Sequence, residues 1–129
     1  MAPEILLTKP YNSLVDVWSL GIIMIELATG NNPYRNLTLS RIMHQMRNND
    51  PPKLKKSSNN WSKEFRHFVN KCCLVKNPVE RADTYRLLIH PFLKNADDEE
   101  HKDQFLFFMT EYYNNPKLKL NSTKVDLAV

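Results

Sequence analysis

The sequence predicts a mainly α-helical fold, and three observations support this prediction. The 129 residues include only two glycines, Gly21 and Gly30, and both belong to one apolar region. Apolar residues recur at spacings of three and four in several segments, whereas alternating apolar and polar runs are few. Turns are marked by proline and asparagine. With 42% hydrophobic and 25% charged residues, the composition is typical of a globular domain with a core.

The first long helix is predicted over residues 13–29, which read SLVDVWSLGIIMIELAT. Ser13 is a suitable N-cap residue, and Gly30 is a suitable residue to end the helix. The segment is apolar on most of its circumference, which is typical of a buried helix. Asp16 is unexpected there, because an ionised carboxylate is costly to bury without a partner. We therefore expect Asp16 to bind a specific partner.

Three shorter helices are predicted after this segment. The first spans residues 39–47, and its apolar stripe consists of Leu39, Ile42, Met43 and Met46. The segment NNDPPKLKKSSNN interrupts the pattern, and the apolar face of the next helix consists of Trp61, Phe65, Phe68, Val69 and Cys72. The segment NPVERADT opens the last of these three helices, which is the fourth of the chain. It ends at His90 because the residue before a proline disfavours the helical conformation.

The C-terminal part of the chain is predicted to contain one further helix and a tail. The acidic link DDEEHKD opens this helix, whose shared face consists of Phe105, Phe108, Met109, Tyr112 and Tyr113. Residues 114–129 are polar with little structural signal, so we expect them to be disordered. The predicted organisation is a domain over residues 1–95, the link and helix over residues 96–113, and this tail.

Charge and cysteine content argue against several classes of protein. The net charge of +4 is spread along the chain, which does not indicate nucleic-acid binding. The longest apolar run, Leu20–Ile25, is too short to cross a membrane, and MAPEILLTKP lacks the features of a secretory signal. Cys72 and Cys73 are adjacent, which disfavours a disulfide between them. A reducing, cytoplasmic location is therefore expected.

The spacing of candidate ligands predicts no metal site. The four histidines, His44, His67, His90 and His101, follow neither the H-E-x-x-H pattern nor the spacing of a zinc finger. The two cysteines have no spaced histidine or cysteine partner in the sequence, so we expect a buried core thiol rather than a ligand.

Four separated motifs lie along the chain: MAPE at residues 1–4, DVWSLG at 16–21, NPVER at 77–81 and LLIHPFL at 87–93. Together they resemble the C-terminal lobe of a eukaryotic protein kinase. Each is weak alone, but their order and spacing agree with the family over residues 1–93. The resemblance implies a helical lobe that lacks the N-terminal lobe and the catalytic loop.

Within the kinases, three segments resemble the sterile-twenty-like serine/threonine kinases, that is, the germinal-centre and mammalian sterile-twenty-like group. These segments are ELATGNNPY, RNNDPPKL and NNWSKEFRHFVNKC. The alternative is a fragment of a mitogen-activated protein kinase kinase, although that group usually carries a longer insert between the residues matching Tyr34 and Pro51. Between Cys72 and Arg81 the chain is one residue longer than is usual in the sterile-twenty-like group.

The resemblance implies structural roles for five residues. Glu4 ends the Ala-Pro-Glu motif and is implied to form an ion pair with Arg81 that ties the activation segment to the lobe. Asp16, with Trp18 and Gly21 of its motif, is implied to anchor the catalytic loop. A carboxylate suits this role because its lone pairs accept several backbone N–H groups.

Two further regions match elements that contact substrates. Met1, Ala2 and Pro3 match the end of the loop that receives the substrate. The helix that docks substrates and regulators is matched by the stripe Leu39, Ile42, Met43 and Met46. The implied partners are therefore protein substrates or regulators.

The groups that transfer phosphate in protein kinases are not found in the sequence. Transfer needs a glycine-rich loop, a lysine and glutamate pair, an H-R-D aspartate and a D-F-G aspartate on magnesium. No G-x-G-x-x-G, V-A-I-K, H-R-D or D-F-G occurs between Met1 and Val129. ATP and Mg²⁺ are thus implied for the complete kinase but not for this chain.

The sequence therefore predicts a partial kinase that is inactive on its own and contributes docking of substrates or partners. We also expect such a chain to expose apolar surface around its long apolar helix. The alternative is a non-catalytic helical interaction module, or a pseudokinase remnant, that binds a kinase or a scaffold.

Overall fold

The computed structural model describes residues 1–55, 61–96 and 98–114. Its elements are α1 (Pro3–Leu6), α2 (Leu14–Thr29), α3 (Leu39–Asn48), α4 (Lys63–His67), a π-helix (Phe68–Cys73), α5 (Thr84–Leu88), a 3₁₀ turn (Pro91–Leu93) and α6 (Glu99–Asn114). The described residues contain no strand, and the predicted mainly helical fold is confirmed. In this part of the chain no helix has the length and apolar character needed to span a bilayer.

The chain divides into two compact units, Met1–Leu93 and Lys94–Val129. The second unit contains α6, on which Leu106 and Phe107 are exposed. The predicted disordered tail spans residues 114–129; Asn114 is instead the last residue of α6, and residues 115–129 lie outside the described residues. The side chains of the face predicted on α6 also lie outside them: Phe105, Phe108, Met109, Tyr112 and Tyr113.

The ends of α2 show one correct prediction and one error. Gly30 has the left-handed conformation, with φ at 72°, and its N–H donates to the carbonyl of Glu26 at 2.8 Å. The Ser13 side chain makes no capping hydrogen bond, because Ser13 already has helical backbone angles. The Leu14 N–H is instead accepted by Oδ1 of Asn12 at 3.0 Å. Asn12 therefore caps the helix.

The core of the first unit forms where α2 packs against the π-helix. Trp18, Val69, Cys73 and Leu74 are fully buried there. Gly21 permits the close approach, since a Cβ atom on it would lie 2.7 Å from Cγ of Leu74 and 2.8 Å from Cβ of Cys73. Burial raises the pKa of the Cys73 thiol to about 12, so Cys73 is a neutral core thiol.

One face of α2 remains exposed. Asp16, Leu20, Ile23 and Leu27 recur at spacings of four, three and four and therefore share this face, which we call the open face. The exposed fractions of the three apolar side chains are 37%, 51% and 78% in chain order. The prediction that α2 is buried all round is wrong for this face, because no other described element of the first unit covers it.

Candidate functional site

The structure brings Glu4 of α1 into contact with Arg81 in the loop before α5, 77 residues further along the chain. Nη1 of Arg81 donates to Oε1 of Glu4 at 2.7 Å, and Nη2 donates to Oε2 at 3.0 Å. The exposed fractions of the two side chains are 3% for Glu4 and 0% for Arg81. The pair is therefore a buried, bidentate and charge-assisted contact.

Arg81 also connects two further parts of the first unit, α2 and the loop after the π-helix. Nη1 also donates to the carbonyl of Leu14 at 2.7 Å, and Nε donates to the carbonyl of Val75 at 2.9 Å. The guanidinium carbon lies 5.2 Å from the ring centroid of Trp18, within the range of a cation–π contact. One side chain thus fixes α1, the start of α2 and the loop after the π-helix.

The environment of Glu4 favours its charged form. Burial alone would raise the pKa of Glu4, but the hydrogen bond from Arg81, the backbone N–H of Glu4 and the charge of Arg81 together lower it below its usual value. A carboxylate whose folded pKa is lowered stabilises the folded state above its unfolded pKa. This stabilisation is lost as the pH falls through the folded pKa.

A comparison of the wild type with Glu4→Gln should show this pH dependence. We expect the wild type to have the higher urea midpoint at pH 6–8, with a constant difference between the two proteins. Below about pH 4.5, near the unfolded pKa of a glutamate, the difference should shrink. Urea titrations followed by circular dichroism measure this difference in midpoint at each pH. A difference that stays constant down to pH 3 would contradict the role assigned to the charge.

The three residues implied as the catalytic-loop anchor do not form one site. Asp16 lies on the open face, and within the described residues its carboxylate accepts no hydrogen bond. Trp18 points into the core, where its Nε1 has no partner among the residues that the structure describes. Gly21 faces Cys73 and Leu74. Asp16 is therefore the only member of this set that is available to a partner.

The three residues implied for the end of the substrate loop differ in burial. Met1 is exposed, whereas Ala2 and Pro3 are buried. Pro3 begins α1, where its fixed φ and missing N–H are tolerated. The core encloses the side chains of Ala2 and Pro3, so Met1 has the only exposed side chain of the three, and their place at the end of a substrate loop stays a prediction.

The predicted docking stripe on α3 faces mostly inward. Met46 is only 4% exposed and belongs to the core, while Ile42 and Met43 are half-buried and pack against it. Leu39 remains 56% exposed. The side chain of Met46 fills the core and is not accessible to a partner, and docking at this stripe stays a prediction. The helical periodicity marked a packing face, and Leu39 at its edge is the part that a partner can reach.

The sequence patterns missed one group of side chains that the fold brings together. His67, Cys72 and His90 come from different parts of the first unit and place their nitrogen and sulfur atoms within 4.8 Å of one another. The spacing of these residues in sequence gave no signal.

Comparisons with known proteins place this geometry in a family. The family profile described as "Protein kinase domain" matches residues 1–93. "Serine/threonine-protein kinase pakE" of Dictyostelium discoideum is 47% identical over 100 residues, which are 78% of this chain and 11% of that protein. "Serine/threonine-protein kinase max-2" of Caenorhabditis elegans is 46% identical over 96 residues, which are 74% of this chain and 15% of that protein. The chain thus spans a small part of the relatives it matches.

Proposed function

Because the chain belongs to the protein kinase domain family, we propose that it forms helical C-lobe structure of a sterile-twenty-like serine/threonine kinase. The complete family transfers the γ-phosphate of ATP to protein hydroxyls with the help of Mg²⁺. In this proposal the chain contributes the scaffold that holds the activation segment and docks protein substrates or regulators. Both relatives are named as serine/threonine-protein kinases, which supports this specificity.

The buried contact between Glu4 and Arg81 is the observation that carries this proposal. It joins the Ala-Pro-Glu motif to the NPVER motif, two of the four motifs that resemble a kinase lobe. A buried ion pair stabilises a fold only when its hydrogen bonds are well satisfied. Arg81 has such bonds to Glu4, Leu14 and Val75, which suits a fixed structural tie. The free thiols of Cys72 and Cys73 fit the cytoplasmic location that we include in the proposal.

The open face of α2 is the surface on which we place the catalytic loop. Asp16 supplies a carboxylate with free acceptor sites at one end, and Leu20, Ile23 and Leu27 supply apolar contact below it. A contiguous exposed apolar stripe next to a charged group is typical of a surface that another segment covers. Backbone N–H groups on that segment would satisfy the carboxylate.

A phosphotransfer assay tests the catalytic part of the proposal. The 129-residue polypeptide, incubated with Mg²⁺, labelled ATP and a generic protein substrate, should transfer no phosphate, because it contains none of the four phosphate-transfer motifs. Measurable turnover would contradict the proposal.

Complementation tests the role of the open face. A fragment of a related kinase that carries the glycine-rich loop through D-F-G should bind the polypeptide and gain phosphotransfer activity. Ile23→Asp places a charge on the open face and should abolish both effects. Val79→Asp is the matched control, since Val79 is exposed in the loop before α5. Equal loss in both variants, or no loss in either, would refute the assignment of this face.

A second candidate is a non-catalytic helical interaction module, and the surface of α5 favours it. Tyr85, Leu88 and Ile89 are exposed, and the last two follow Tyr85 by three and four residues, which places them on one side at the end of α5 as an apolar patch. An exposed apolar patch is typical of a protein interface. Binding of a scaffold or kinase that is lost in Leu88→Asp but kept in Ile23→Asp would favour the module over the kinase lobe.

A further inference from the structure

Three side chains with metal-binding atoms meet beside the π-helix. His67 ends α4, Cys72 lies in the π-helix, and His90 precedes the 3₁₀ turn. Nδ1 of His67 lies 2.9 Å from Nε2 of His90 and 3.6 Å from Sγ of Cys72. His67 is exposed, while Cys72 and His90 are half-buried. A ligand can therefore enter this cluster from solvent.

The π-helix is the reason that His67 and Cys72 meet. In an α-helix, residues five apart point about 140° away from each other. In a π-helix the hydrogen bonds join residues five apart, so these residues lie almost above one another. The N–H of Leu74 donates to the carbonyl of Val69 at 2.9 Å in this pattern. Wide helical turns of this kind, here over Phe68–Cys73, are rare overall and are frequent at functional sites.

We propose that His67, Cys72 and His90 bind a borderline-soft divalent transition-metal ion of the Zn²⁺ type. The ligand atoms are Nδ1 of His67, Sγ of Cys72 and Nε2 of His90, and water takes the fourth position. A thiolate and two imidazoles favour this class of ion over Mg²⁺ or Ca²⁺, which prefer oxygen ligands.

Two of the three separations between ligand atoms lie close to those of such a site, and the third, between Sγ of Cys72 and Nε2 of His90, is at most 4.8 Å and must shorten to about 3.5 Å. Tetrahedral Zn²⁺, with Zn–S of about 2.3 Å and Zn–N of about 2.0–2.1 Å, places nitrogen and sulfur about 3.5 Å apart and two nitrogens about 3.3 Å apart. The separation of 3.6 Å between His67 and Cys72 agrees with this geometry. The two imidazole nitrogens, now 2.9 Å apart, must separate by a few tenths of an ångström.

Without metal the two imidazoles share a hydrogen bond. Their ring planes differ by 17° and their centroids lie 5.2 Å apart. The separation of the centroids is far larger than the 2.9 Å between Nδ1 of His67 and Nε2 of His90, so the rings meet edge to edge. Nδ1 of His90 accepts from the N–H of Phe92 at 3.1 Å. The proton of neutral His90 is therefore on Nε2, which donates to Nδ1 of His67.

Metal binding exchanges these hydrogen bonds for coordination bonds. The proton on Nε2 of His90 moves to Nδ1, and the contact with the N–H of Phe92 is lost. The thiol proton of Cys72 goes to solvent, and the thiolate binds the ion. The exposed ring of His67 has room to rotate. Two hydrogen bonds are given up for three bonds to the metal.

Titration of the 129-residue polypeptide with Co²⁺ tests the site, because Co²⁺ reports its ligands through its absorption spectrum. We expect one equivalent to bind, with a thiolate-to-cobalt charge-transfer band in the near ultraviolet and displacement by Zn²⁺. Cys72→Ser should remove that band, and His67→Ala should weaken binding at least about tenfold. His44→Ala is the matched control, since His44 is exposed on α3, and it should bind as the wild type does.

Alkylation of the thiols gives a second measurement that does not depend on the spectrum. Zn²⁺ should slow the reaction of Cys72 with iodoacetamide at least about tenfold in the wild type and in His44→Ala, but not in His67→Ala. Circular dichroism establishes that each variant is folded. Absence of binding by the folded wild type, or equal binding by Cys72→Ser and the wild type, would overturn the proposal.

Discussion

Arg81→Ala is expected to lower the free energy of unfolding by about 3–5 kcal/mol. The substitution leaves the carboxylate of Glu4 buried without its partner, and ionised groups are costly in that state. It also removes the donors to the carbonyls of Leu14 and Val75. Urea unfolding of the polypeptide, followed by circular dichroism, measures the loss.

Arg86→Ala is the matched control for this experiment, because Arg86 is an exposed arginine on α5. Its substitution should change the free energy of unfolding by less than about 0.5 kcal/mol. The double variant Glu4→Met with Arg81→Met should recover part of the loss, since no buried charge remains. A single-variant loss below about 1 kcal/mol would show that the ion pair does not hold the fold together.

Gly21→Ala is expected to destabilise the protein by about 1–3 kcal/mol, although alanine favours a helix more than glycine does. The added methyl group would lie 2.7 Å from Cγ of Leu74 and 2.8 Å from Cβ of Cys73. Both neighbours are fully buried, so neither can move aside without disturbing the core. Thermal unfolding followed by circular dichroism measures the effect.

Ser40→Ala controls for helix propensity alone, because Ser40 is exposed on α3. Ser40→Ala should leave the midpoint of thermal unfolding unchanged or raise it slightly. If Gly21→Ala behaves in the same way, the close packing of α2 against the π-helix does not depend on glycine. The two variants together separate the backbone effect from the steric one.

The kinase resemblance located the contact with the greatest expected effect on stability, but not all of the surface around it. It paired Glu4 with Arg81, and these side chains are in contact in the structure. It also grouped Asp16, Trp18 and Gly21, although Asp16 faces solvent and the other two face the core. A motif is a run in sequence, whereas a helix rotates successive residues to different faces.

Sequence alone was sufficient to predict the helical class, the place of the long helix α2 and its end at Gly30. These features follow from apolar periodicity and from the conformational freedom of glycine, which are local properties. Which apolar stripe is covered became clear only from the packing of the helices. Met46 on α3 is buried and Ile23 on α2 is exposed, although both lie on helical stripes. Burial depends on which other elements pack against a face, and periodicity carries no information about them. The cluster of His67, Cys72 and His90 also depends on the tertiary structure, because one wide helical turn and a distant loop bring its members together.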